Sequence, residues 1–125
     1  MEFDWTSGKL AEGLACYERA EFFETHEHWE IVWLALAEPE KSFLQALIQV
    51  AAGFHHLRAG NSAGGVSLLR RALRRFEGCP EGFCGIAIAS LREEVREALR
   101  DLEAEAPLDL KDFPRICPTK RISPD

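Results

Sequence analysis

The sequence predicts an all-α fold: a single compact domain of about five helices, helical-bundle-like, with a Pro-rich C-terminal tail. Three observations carry that reading. Apolar residues recur with helical spacing along most of the chain, and no segment alternates as a half-buried strand does. Gly, Pro and Asn stand where those helices would end. The chain has 125 residues, 46% of them hydrophobic and 29% charged, which suits one globular domain able to bury its own core. The helical domain is expected over residues 1–106 and the tail over 107–125.

The elements follow in order. A short first helix is expected over Lys9 to Glu18, with Cys16 packing beside Leu10 and Leu14. The second starts near Ala20 and runs to about Ala37, because Pro39 disfavours helix at Glu38. The third begins at Glu40 or Lys41 and stops at Gly60, a suitable residue just past a helix end. Asn61 is a good N-cap for a fourth helix reaching about Glu77. A glycine-rich turn over 78–85 leads to the fifth. There Ile88, Leu91, Val95, Ala98, Leu99 and Leu102 mark one buried face, opposite a mixed-charge side that includes Arg92. Four of the six prolines lie in the last 19 residues, so the tail is non-helical. Leu108, Leu110, Phe113 and Ile116 are its means of docking.

Charge and cysteine usage bound the partners. Lys plus Arg is 15 and Asp plus Glu is 21, a net of −6. Such an acidic chain is not expected to bind nucleic acid, which rewards an excess of cations. Residues 1–56 hold only 3 Lys or Arg against 10 Asp or Glu. Arg70, Arg71, Arg74 and Arg75 form a local basic cluster on the fourth helix, facing either the acidic second helix, solvent or an anion. Cys16, Cys79, Cys84 and Cys117 show no Cys-x-x-Cys spacing and read as free thiols of a cytoplasmic protein. The start, Met1-Glu2-Phe3-Asp4-Trp5, lacks the basic and apolar regions of an export signal. The longest mostly apolar stretch, Phe43 to Phe54, is too short to span a bilayer, so no membrane association is expected.

The chemically suggestive residues lie on the second and third helices. At about 100° per residue, His26 and Glu30 fall inside an arc that also holds Phe22, Trp29 and Trp33. An aromatic helix face normally excludes charge, so this His and Glu need partners. The third helix is apolar nearly all round from Phe43 to Phe54 except for Gln45 and Gln49. His56 continues their stripe, and His55 lies on another face. The two polar seams are expected to face one another. They would assemble a candidate pocket of His26, Glu27, Glu30, Gln45, Gln49 and His56, walled by Trp29 and Trp33.

Three uses of that cluster follow. It is a divalent-metal site with His26, Glu30 and His56 as ligands, a metal-free acid–base pocket, or a buried network that sets helix register. His26-Glu27-x-x-Glu30 has Glu where zinc proteases have their second His, so that mechanism does not transfer. Phosphate-loop and nucleophile-elbow motifs are absent from the sequence. The residues name no reaction and no catalytic group. Two functional classes therefore stand: a small-ligand or metal-binding pocket, and a non-enzymatic protein-interaction module with a structural cluster. A homodimer with two-fold symmetry is expected from the apolar helix surface and the tail.

Several motifs agree in order with one family. Phe23-Glu24-x-His26-Glu27-x-Trp29-Glu30-x-x-Trp33 is followed by Phe43-Leu44-Gln45-x-Leu47-Ile48-Gln49-x-Ala51. His55 or His56 comes next, then Gly60-Asn61-x-x-Gly64 and Leu68-Leu69. From about Tyr17 to Leu102 the chain resembles the domain of unknown function 309 family, small all-helical proteins of bacteria and archaea. The resemblance implies a compact helical domain whose His-Glu and Gln motifs come together, and no particular activity.

Overall fold

A computed structural model describes residues 2–106 and 109–119. Its helices are α1 (Gly8–Glu18), α2 (Phe22–Leu34), α3 (Glu40–Arg58), α4 (Ser62–Phe76) and α5 (Ile88–Glu103), with a short 3-10 turn at Phe83–Gly85 before α5. No strand occurs among the described residues; one isolated bridge joins Ile86 to Pro118. The all-α architecture is as the periodicity predicts.

α3 is the central helix. Phe43, Leu44, Ala46, Leu47, Val50, Ala51 and Phe54 are each at most 1% exposed, so the helix is covered on several sides. α2 lies against one flank and α4 against another, while α1 packs on α2 and α5 on α4. At the α3–α4 crossing the backbones come close. A Cβ on Gly65 would stand 3.0 Å from the Gly53 carbonyl oxygen and 2.6 Å from Leu57 Cγ. Only glycine permits that approach.

Local chemistry explains the boundaries. α1 ends because Ala20 turns to φ 61°, its N–H reaching Tyr17 O while Glu21 N–H reaches Cys16 O. This is the closure that glycine usually makes. α2 therefore starts at Phe22 rather than Ala20. It also stops short, at Leu34: Ala35 and Leu36 donate to carbonyls three residues back, and the tightened turn buries Leu36 in the core. The Glu38 carboxylate accepts from Ser42 N–H and Oγ at 2.7 and 2.8 Å, ordering the first turn of α3. Gly60 takes φ 85°, and the Asn61 side chain accepts from Gly64 N–H at 3.0 Å, which starts α4 as expected. α5 is capped from the preceding turn: Glu81 Oε1 accepts from Ile88 and Ala89 N–H at 2.7 and 2.9 Å. Arg92 is drawn out of the charged face of α5 to donate to the Phe76 and Cys79 carbonyls at the end of α4.

Both ends of the described chain join the core. Phe3 and Trp5 are buried, and Trp5 Nε1 donates to the Cys84 carbonyl at 2.8 Å. In the tail, Phe113 sits edge-on to Tyr17 and Phe22, each at 5.1 Å between ring centroids. Tyr17 donates its hydroxyl to Pro114 O. Ile116 is buried, Leu110 is half-buried, and Leu108 lies outside the described residues. The four cysteines are free thiols, and Cys16 is buried.

Candidate functional site

The face of α2 that turns away from the core carries the unusual chemistry. Phe22, Thr25 and Trp29 point inward and are buried. Opposite them, Phe23, Glu27, Glu30 and Leu34 follow helical spacing on the outer face, with Ile31 beside them. Phe23, Ile31 and Leu34 are 52%, 57% and 68% exposed, and they are the large apolar side chains standing in solvent among the described residues. His26 lies at the edge of this face. Its Nε2 is 3.4 Å from Glu30 Oε2, with side-chain exposures of 38% and 50%.

The expectation that His26 and Glu30 lie inside an aromatic seam is therefore corrected. Trp29 leaves the seam: it is completely buried, donating Nε1 to Leu10 O at 3.1 Å and standing edge-on to Trp5. It is core, not a pocket wall. Trp33 is half-buried beneath Lys41, whose Nζ is 4.3 Å from the ring centroid, and its indole N–H is buried without a partner among the described residues. Glu27 is exposed.

The seam on α3 faces the other way. Gln49, Gly53 and His56 are i, i+4 and i+7, so they share one side of the helix. Gly53 meets α4, and it takes its neighbours there. Gln49 is buried and borders a cleft with Arg71, Arg74 and Arg75 of α4. The His56 ring Nδ1 lies 3.2 Å from Asn61 Nδ2, just before α4. Gln45 is half-buried. The ring of α3 that does reach the α2 edge is that of His55, 5.8 Å from Phe23. His26, Glu30 and His56 are thus not gathered as a ligand set, and no group of three or more His, Cys, Asp or Glu residues among the described ones is placed to hold a metal. Clefts open along α4, beside the N-terminal segment and beside α5, each lined by residues other than His26 and Glu30.

Helix periodicity alone does not reveal that Phe23, Ile31 and Leu34 stand in solvent or that His55 approaches Phe23. The signal was present: Phe23, Ile31 and Leu34 fall on the α2 arc opposite Phe22 and Trp29. It was masked because apolar residues surround α2 on nearly every side. Residues 10–68 match the family described as domain of unknown function (DUF309). Over these residues the chain is similar to the DUF309 family. An uncharacterized protein of Aquifex aeolicus is 31% identical over 103 residues. The match covers 82% of this chain and 31% of that protein's length. Residues 10–68 contain α2 and α3 entire, hence both polar seams. No helix among the described residues is long and apolar enough to cross a membrane.

Proposed function

We propose that this domain is a non-enzymatic protein-interaction module, and that the outer face of α2 is its docking surface. The observation that carries the reading is the alignment of Phe23, Ile31 and Leu34 in solvent on one helix. Exposing three large apolar side chains on one element, interleaved with carboxylates, costs apolar burial that a partner restores. A single exposed leucine would mean nothing.

Charge defines the partner. Glu24, Glu27 and Glu30 lie on α2, which contains no Lys or Arg. The complementary surface is an apolar face on another protein, rimmed by Lys or Arg. Two copies of α2 related by a two-fold axis would bring these carboxylates together, so this face does not suit the expected homodimer. The longer Aquifex relative, of which the matched region is a third, supports reading the domain as a module used beside other chain segments. The pocket reading draws no support from His26 and Glu30, whose side chains are 38% and 50% exposed and line none of the clefts described above.

The test compares the protein with an Ile31→Asp/Leu34→Asp variant. Both substitutions are on exposed positions, so the fold should be retained. Proteins held by the immobilised wild-type domain but not by the variant are identified and purified, and their footprint is mapped by amide hydrogen exchange. Protection of α2 by a partner with a basic-rimmed apolar surface is the expected result. Equal retention by both proteins, or protection confined to another face, overturns the reading.

A further inference from the structure

The groove between α3 and α4, on a different side of the molecule from the outer face of α2, combines two features that neither the fold nor the α2 surface explains. The first is a cluster of cations. Arg71, Arg74 and Arg75 are all exposed and related by i, i+3 and i+4, a spacing at which like charges destabilise a helix. Arg70, beside them, is paired with Glu103, and Arg75 reaches Ser42 Oγ at 3.4 Å. Arg71 and Arg74 have no carboxylate within ion-pair distance among the described residues. In a chain of net charge −6, two such arginines side by side are a deliberate local reversal of sign.

The second feature is Gln49. The residue is only 6% exposed, and its Oε1 is buried without a hydrogen-bond partner among the described residues. A buried amide oxygen left unpaired costs free energy. Gln49 lines the same cleft, about 410 Å³ in volume, as Arg71, Arg74 and Arg75. That volume is in the range of small-molecule sites.

We infer that this cleft binds a small phosphomonoester that also carries a hydroxyl group. The phosphate oxygens accept from the forked guanidinium donors of Arg71 and Arg74, for which a phosphate is a natural partner. The hydroxyl donates to Gln49 Oε1, an acceptor that a fully deprotonated anion such as sulfate cannot satisfy. The pairing of an orphaned acceptor with unpaired donors selects this ligand class over a simple anion. The helix crossing at Gly53 and Gly65 holds Gln49 against α4 and so builds the site into the fold.

Ribose 5-phosphate is the probe, titrated calorimetrically against the full chain beside ribose and inorganic sulfate. The wild-type protein should bind ribose 5-phosphate more tightly than either control. Arg71→Gln/Arg74→Gln, on exposed positions, should weaken it by about 10-fold or more. Gln49→Leu should weaken ribose 5-phosphate by about 3- to 10-fold and leave sulfate unchanged. The Ile31→Asp/Leu34→Asp variant should bind like wild type, which separates this site from the α2 surface. Equal affinity in the arginine double variant overturns the proposal. So does the absence of saturation at millimolar probe, which would mean that an Arg side chain turns inward and satisfies Gln49 itself. Sulfate binding as tight as ribose 5-phosphate also overturns it, by reducing the site to a non-selective anion contact.

Discussion

Trp29 lies against the backbone of α1 at Gly13: a Cβ built on Gly13 would stand 2.3 Å from the indole Nε1. The contact explains why α1 and α2 sit so close and why Trp29 can reach the Leu10 carbonyl. Neither the indole nor the helix can yield without breaking that bond. Gly13→Ala should therefore destabilise the domain by about 1–3 kcal/mol, despite the better helix propensity of alanine. Urea denaturation checks this; an unchanged or raised midpoint would show that the indole has room to move.

His26 and Trp29 are three residues apart and should behave oppositely. The His26–Glu30 pair is solvent-exposed, and such pairs contribute little. His26→Ala should change stability by no more than about 0.5 kcal/mol, whereas Trp29→Ala should cost about 3–5 kcal/mol. A His26→Ala loss as large as that of Trp29→Ala would restore the buried-network reading.

Acid stability should depend on Asp4. Hydroxyl donation from Ser7 and Thr6, then the Thr6 N–H, lowers its carboxyl from 3.8 to about 2. A folded value below the unfolded one means that the stabilisation is present above the unfolded value and is lost as pH falls through about 2. Asp4→Asn should lower the melting temperature at neutral pH, and the difference from wild type should vanish near pH 2. Glu81, held low by the Ala89 and Ile88 N–H groups, shifts in the same direction.

The thiol of Cys84 is pushed up to about 12, first by burial and then by Glu40. The thiolate is the reactive form. Iodoacetamide at mildly alkaline pH should alkylate Cys84 in the native protein about 100-fold or more slowly than in urea. Mass spectrometry of timed aliquots measures the ratio, and comparable rates would place Cys84 in solvent.

At the α3–α4 crossing, Gly65→Ala should cost about 1–3 kcal/mol, because the added methyl meets Leu57 and the Gly53 carbonyl. A cost below that range, measured by thermal unfolding, would show that the helices can separate slightly without loss.

Much of the fold was legible in local pattern. The α5 face from Ile88 to Leu99, the stop at Gly60, the cap at Asn61 and the all-round burial of α3 depend on periodicity and on single-residue backbone preferences. These act within a few residues of chain. The boundaries of α2 were less legible, because Ala20 adopts a left-handed conformation that its side chain does not advertise, and because the turn at Leu36 closes to bury that residue. The candidate site was only half visible. The sequence identified His26–Glu30 and Gln49–His56 as polar stripes on apolar helices, but a stripe has no direction until the helix has neighbours. Gly53, lying between Gln49 and His56, let α4 approach that side of α3, while Gly13 let α1 receive Trp29. By itself the sequence determined which residues form helices and which of their faces are apolar. Tertiary structure decided which faces meet, because close approach depends on where two glycine backbones coincide in space with the side chains of another helix.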